Sequence, residues 1–137
     1  MKPRHYYSQN GEDIVLWSLF EDQELPGFFI EVGALDGLRF SNTYSFEEAG
    51  WVGICIEAHP DYIDLLQKNR PNSIVVHAAV GEEDRDAVEF FANARGSLST
   101  LDSSLEEEFR KYGRYFTGWE VKKVPMRTLN TILEENE

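Results

Sequence analysis

Two short apolar runs that carry carboxylates at or near their ends are the clearest pattern in the first half of the chain. The first, 28–32, contains Glu31 and leads into a glycine, and the second, 52–57, ends on Glu57. Continuous apolar runs that stop at a glycine or a charge are typical of parallel strands covered on both faces. Positions 44–49 between the runs predict a short helix. We therefore predict a strand–helix–strand unit.

The remaining apolar positions predict helices and strands in alternation. Apolar residues three and four apart favour helices, and β-branched runs favour strands. Strands over 73–79 and 87–92 flank a charged turn at 82–86, so we expect them to pair as a hairpin. Such alternation is typical of an α/β fold with a parallel sheet. The other predicted elements are helices over 12–24, from Pro60 to the residue before Pro71, over 105–112 and over 126–134, and a strand over 119–124.

Gly33 and Glu57 fall at the carboxyl ends of the first two predicted strands, the edge at which α/β sheets bind ligands. Glu57 comes 26 residues after Glu31, within the range of about 20–30 residues at which a second strand end offers its acid to ribose hydroxyls. None of the three residues after Gly33 is glycine, so the dinucleotide fingerprint is absent and NAD or FAD is disfavoured. S-adenosylmethionine, which carries adenosine without phosphate, fits better, and its positive charges suit Glu31 and Asp36. A purely structural strand-to-helix turn is the alternative.

Several segments of the sequence, taken together and in this order, carry a specific resemblance. They are YSQNGED at 7–13, FIEVGALDG at 29–37 with SNT at 41–43, GWVGICIEAHP at 50–60, AAVG at 78–81 and VPMRTL at 124–129. The chain resembles the FkbM-type S-adenosylmethionine-dependent methyltransferases. Members of that family carry an Ile-Asp-x-Glu-Gly strand next, and this chain ends at Glu137 before it. We therefore expect a single domain, 1–137, that is incomplete at its carboxyl end.

The resemblance implies a fold and a cofactor site. The fold would be the Rossmann-like sheet of class I methyltransferases. Glu31, Gly33 and Asp36 would hold the amino-acid end of S-adenosylmethionine, and Glu57 would accept both ribose hydroxyls. Ala58 and Ala79 would lie near the adenine.

Loop residues would complete that pocket with hydrogen-bonding groups. The resemblance assigns this role to Gln9, Ser41, Asn42 and Thr43. Each polar loop side chain has a structural alternative, because Ser8 or Asn10 at the first helix, and Ser41 or Asn42 at the second, could instead cap a helix start.

The resemblance implies methyl transfer to a hydroxyl of a sugar or another small metabolite. The rival hypothesis is a non-catalytic half-domain or fragment that binds an adenosyl ligand or acts in assembly. The sequence identifies no general base: His59 is the nearest titratable candidate, but a histidine before Pro60 at a helix start is more often structural. The three histidines are dispersed, so we predict no protein-held metal.

The net charge, the length of the apolar runs and the cysteine count exclude several classes of partner and location. The net charge of −12 argues against nucleic acid, which is bound by clustered Lys and Arg. No run approaches the roughly 20 apolar residues that span a bilayer, and no apolar segment follows Met1–His5, so we expect a cytoplasmic protein. The single cysteine, Cys55, excludes internal disulfides.

The missing strand would leave one side of strand 28–32 without a neighbour. We expect the chain to self-associate through this unpaired strand edge.

Each of two further segments is compatible with two interpretations. The polar stretch 96–104 predicts either a substrate loop or an ordinary surface loop. Arg110, Lys111 and Arg114 lie among aromatic residues and could bind an anionic substrate, although a solvated helix face is the more frequent arrangement.

Overall fold

The computed structural model describes residues 3, 5–24 and 26–136. Met1 and Glu137, the ends of the predicted domain, therefore lie outside the described residues. The fold is α/β, as predicted. In chain order its helices and strands are α1 (Glu12–Phe20), β1 (Phe28–Val32), α2 (Tyr44–Glu48), β2 (Val52–Glu57), α3 (Ile63–Asn69), β3 (Ile74–His77), β4 (Ala79–Val80), β5 (Arg85–Ala92), α4 (Glu106–Arg110), β6 (Glu120–Arg127) and α5 (Leu129–Glu135).

The first sheet has the order β1-β2-β3, and all of its strands are parallel. The predicted bounds of β1 and β2 are confirmed. Phe29 pairs with Gly53, and a Cβ atom at Gly53 would clash with the Phe29 carbonyl and ring. Glycine at this position therefore lets the large Phe29 ring pack directly on β2.

The second sheet has the order β4-β6-β5, and here two predictions are wrong. The predicted strand 73–79 divides, because after His77 the chain leaves β2 and Ala79–Val80 pairs with β6 instead. β5 pairs antiparallel with β6, not with β3, so the expected hairpin does not form. The physical reason is apolar burial: Phe90 and Ala92 of β5 pack with Val124 of β6.

β6 also runs past its predicted end. Pro125 was expected to separate a strand from a helix, yet the strand continues to Arg127 and α5 begins at Leu129. A bulge between Arg85 and Val88 interrupts the β5–β6 ladder opposite Pro125, where the proline lacks an N–H to donate. Thr128 then caps α5, since its hydroxyl accepts from the Thr131 N–H at 3.1 Å.

Helices cover the central strand β2 of the first sheet on both faces. Trp17 of α1, Phe46 of α2 and Leu66 of α3 pack on one face, with Phe29 and Cys55. On the other face, Ile132 of α5 packs on Ile54 and Ile56. This two-sided burial explains the continuous apolar character of β2.

The remaining helices differ from their predicted lengths. α1 ends at Phe20 rather than Glu24, and the helix expected over 105–112 is one turn, α4, between the short 3₁₀ helices Ser103–Leu105 and Gly113–Tyr115. Pro60 begins a 3₁₀ turn that leads into α3, as its position indicated. In the described part of the chain, no helix is long and apolar enough to cross a membrane.

Candidate functional site

A cavity of about 410 Å³ lies at the carboxyl ends of β1 and β2, and we call it the strand-end cavity. Its position is the one that the predicted sheet edge indicated, and its size is typical of small-molecule sites. It brings together five of the predicted site residues: Glu31, Gly33, Glu57, Ala58 and Ala79.

Glu57 is the buried carboxylate of this cavity. Only 6% of the residue is exposed. Its Oε2 accepts from the Leu35 N–H at 2.6 Å, and its Oε1 accepts from the His59 N–H at 2.7 Å. Each carboxylate oxygen can accept about two hydrogen bonds. Glu57 therefore keeps acceptor capacity on the side that faces the cavity.

The turn after β1 is held tightly against the end of β2. The N–H groups of Gly33 and Ala34 both donate to the Ile56 carbonyl, at 2.8 and 3.0 Å. Gly33 has φ +77°, and a Cβ there would meet nothing within 4 Å. Leu35 has φ +54°, a conformation that costs a non-glycine residue energy. The bond from its N–H to Glu57 helps to hold that conformation.

Glu31 belongs to a buried ionic network centred on Arg70. Its carboxylate accepts from the Ser41 and Thr43 hydroxyls, the Asn42 N–H and Arg70 Nη1. Arg70 itself is fully buried and also donates to Glu47 at 2.6 Å. Glu31 thus lines the cavity while tying the loop 41–43 to the sheet.

Arg70 is positioned by close packing as well as by charge. A Cβ at Gly37 would lie 2.6 Å from the Arg70 side chain, so glycine makes room for it. Burial by itself would lower the pKa of the guanidinium, but Cys55, Glu47 and Glu31 outweigh it, and the Arg70 pKa is raised. The arginine is therefore charged at all ordinary pH values.

The structure places the other predicted site residues around the strand-end cavity rather than in its wall. Asp36 Oδ1 accepts from the N–H groups of Leu38 and Arg39, which stabilises the turn. The Ser41 hydroxyl accepts from the Tyr44 N–H in the first turn of α2, whose N-cap residue is Thr43, so Ser41 supports the helix start as well as bonding to Glu31. Asn42 Oδ1 is buried with no hydrogen-bond partner among the described residues.

Gln9 lines a different cavity, and Ser8 rather than Gln9 supports the start of α1. The Ser8 hydroxyl accepts from the Gly11 N–H at 3.0 Å and donates to the buried Asp13 carboxylate. Gly11, with φ +89°, precedes the helix.

The polar stretch after β5 forms part of the cavity wall, and its role as a substrate loop stays a prediction. Gly96 has φ +80°, and a Cβ there would clash with Leu35. Arg39 Nη2 donates to the Arg95 carbonyl at 2.6 Å and so ties this loop to the turn after β1. The wall residues from this stretch are Gly96, Ser97, Ser99, Thr100 and Leu101.

His59 is held on both sides of its ring. Nδ1 accepts from the Asp61 N–H at 3.3 Å, and Nε2 lies 3.0 Å from the Asn93 carbonyl. The ring is 2% exposed, so it supports the structural interpretation. Among the described residues, no three His, Cys, Asp or Glu side chains are grouped as a metal site.

The model of the Methyltransferase FkbM domain matches residues 31–137. The chain belongs to this family. No curated protein and no solved structure matches the chain. The match begins at Glu31 and includes every residue named above for the strand-end cavity, so this cavity lies inside the FkbM domain.

The sequence did not indicate that Arg70 and Arg39 of this FkbM domain support or line the strand-end cavity. Arg70 follows the last helical residue before Pro71, a position that predicts a solvated cation, and no sequence signal shows that it is buried. Arg110 and Lys111, which the sequence marked as possible anion ligands, pair with Glu106 and Glu108 on the surface. That observation favours the solvated helix face for both.

Proposed function

We propose that this FkbM-family chain is an S-adenosylmethionine-dependent methyltransferase built on a Rossmann-like sheet, and that it methylates a hydroxyl of a sugar or another small metabolite. The observation that carries the proposal is Glu57. A buried carboxylate at the end of β2, with spare acceptor capacity towards a cavity of about 410 Å³, fits a ribose with two neighbouring hydroxyls.

The walls of the strand-end cavity fit the rest of an adenosyl group. Ala58, Ala79 and Phe90 line it and offer small or flat apolar surface for an adenine ring. Glu31 lines the cavity near the open backbone of Gly33. Arg70 is shared between Glu31 and Glu47, so this network keeps one net negative charge, which suits an ammonium group. Asp36 would not contact the amino-acid end of S-adenosylmethionine directly. It would act by stabilising the turn beside it.

S-adenosylmethionine would supply a sulfonium-activated methyl group, which an acceptor oxygen takes up as its proton is lost and the carbon–sulfur electron pair stays on sulfur. The contribution of this chain would be positioning. Glu57 would orient the ribose, and the Glu31–Arg70 network would hold the turn 33–37 in place. His59 has both ring nitrogens engaged, so we assign no catalytic base.

Calorimetric titration with S-adenosylmethionine and S-adenosylhomocysteine tests the proposal. We expect both to bind, and Glu57→Gln to weaken both at least tenfold, since a hydrogen bond to a charged group contributes about 1.5–3 kcal/mol. Glutamine is preferred to alanine because its amide oxygen keeps an acceptor for one of the Leu35 and His59 N–H groups, whereas alanine would leave both without one. Glu89→Gln is the matched control, because Glu89 is an exposed carboxylate on β5.

Comparing two ligands on both the wild type and Glu57→Gln distinguishes the loss of a ribose contact from a general loss of binding. The 2′-deoxy analogue of S-adenosylhomocysteine should bind the wild-type chain more weakly, and Glu57→Gln should no longer discriminate between the two ligands. Affinity of Glu57→Gln within twofold of the wild type would refute the ribose assignment. If neither ligand binds at millimolar concentration, the non-catalytic alternative replaces the methyltransferase proposal.

A further inference from the structure

A second cavity of about 650 Å³ adjoins the strand-end cavity, and we call it the arginine–tyrosine cavity. Arg39, Phe40 and Ser97 line both cavities. A molecule in one cavity would therefore lie directly beside a molecule in the other, as transfer between two substrates requires. The other residues of its wall are Gln9, Arg95, Leu98, Tyr112 and Tyr115.

The cations at this cavity differ from most others in this acidic chain, because they form no ion pair with a carboxylate among the described residues. Seven of the eleven Lys and Arg side chains in the described residues form ion pairs with carboxylates, as a net charge of −12 favours. Of the four others, Arg39 and Arg95 line the cavity and Arg114 stacks beside it, 5.2 Å from the Tyr115 ring centre. Only Lys68, on α3, lies elsewhere.

Among the three cations at this cavity, Arg95 has the most N–H groups without an acceptor in the described residues. Its guanidinium lies 5.5 Å from the centre of the Tyr115 ring, and its side chain donates no hydrogen bond to any residue that the structure describes. Its backbone is fixed, because the Arg95 carbonyl accepts from Arg39 and its N–H donates to Asn93 Oδ1. Cation–π stacking on tyrosine orients such a guanidinium while leaving its N–H edge open.

We propose that the arginine–tyrosine cavity is the acceptor site, and that the acceptor is a hydroxyl-bearing ring compound with an anionic group, a carboxylate or a phosphate, bound by Arg95 and Arg39. This inference rests on the proposed methyltransferase function and narrows its substrate class. Guanidinium forks match both carboxylate and phosphate oxygens. Tyr112 is exposed at the cavity and offers a flat face to a ring, while Tyr115 holds the Arg95 guanidinium.

Titration of the isotope-labelled chain, followed by NMR, tests the proposal with glucuronate, glucose 6-phosphate, glucose and inorganic phosphate as probes. We expect glucuronate or glucose 6-phosphate to shift the amide signals of Ser97 and Leu98 and to bind at least tenfold more tightly than glucose or phosphate alone. The better of the two identifies the anionic group. Raising the salt concentration from 50 to 300 mM should weaken the binding of the charged sugars and leave the binding of glucose unchanged.

Arg95→Gln should weaken the charged sugars at least tenfold without changing glucose binding. Lys68→Gln is the matched control, since it removes an exposed charge that lies away from the cavity and has no ion pair among the described residues, and it should alter binding by less than twofold. Equal affinity for charged and neutral sugars, phosphate binding as tightly as its sugar ester, no binding of any sugar at 20 mM, or equal effects of the two variants would overturn the proposal.

The same sample titrated with S-adenosylhomocysteine keeps the two proposals apart. Selective binding of a charged sugar without S-adenosylhomocysteine binding would refute the methyltransferase function and leave an anionic-sugar site. Binding of S-adenosylhomocysteine with no preference for charged sugars would refute only the acceptor class.

Discussion

Replacement of Arg70 by methionine should destabilise the protein severely. The guanidinium is completely buried, and its carboxylate partners, Glu31 and Glu47, have side chains only 10% and 3% exposed. Methionine fills a similar volume but leaves both carboxylates buried without their cation. Breaking a buried pair in this way costs about 3–5 kcal/mol. A domain of this size has a total stability of about 5–15 kcal/mol, so the loss is a large fraction of it.

Urea unfolding followed by circular dichroism measures the effect. Arg85→Met is the matched control, because Arg85 pairs with Glu83 on the surface with both side chains more than half exposed, and such pairs contribute about 1 kcal/mol or less. Arg70→Lys keeps the charge but cannot donate at once to Glu47, Glu31 and Thr43. We expect it to fall between the other two variants.

The lysine variant keeps the test decisive if the methionine variant does not fold. Failure of Arg70→Met to fold, together with a folded and weakened Arg70→Lys, supports the buried network. If Arg70→Met loses no more stability than Arg85→Met, the argument that Arg70 compensates two interior carboxylates is wrong.

Two other predictions concern stability and association. Burial raises the pKa of the Cys55 thiol to about 11 from its usual value near 9. The fold therefore favours the neutral thiol, so its contribution is complete below pH 9 and is lost as the pH rises to 11, about 2–3 kcal/mol in all. Urea midpoints from pH 8 to 11 should fall more steeply for the wild type than for Cys55→Ala, and parallel curves would contradict this. Phe28, Ile30 and Val32 expose one apolar face of β1, whose only strand partner in the described residues is β2. We propose that two copies associate there, so sedimentation at micromolar concentration should give a dimer that Ile30→Lys dissociates. A monomeric wild type would refute it.

The sequence was sufficient to predict β1, β2 and the position of Glu57, because these features are local. An apolar run defines a buried strand, and its last carboxylate must fall at the sheet edge. The pairing of β5 with β6 was not predictable, since the paired residues are 28 to 41 positions apart and no local pattern specifies which strand meets which. The role of Arg70 was also hidden, because its burial depends on Glu31 and Glu47 from two distant elements.

The bond between the Leu35 N–H and Glu57 gives the strand-end cavity an internal reporter. The proton lies between a strained backbone position and the carboxylate that would receive a ribose. Any ligand that draws charge from this carboxylate must weaken its hold on that amide and shift its NMR resonance. In the isotope-labelled chain, a single backbone signal would therefore register occupancy directly, without turnover, and it would do so equally for a catalytic enzyme and for a binding domain that has no acceptor at all.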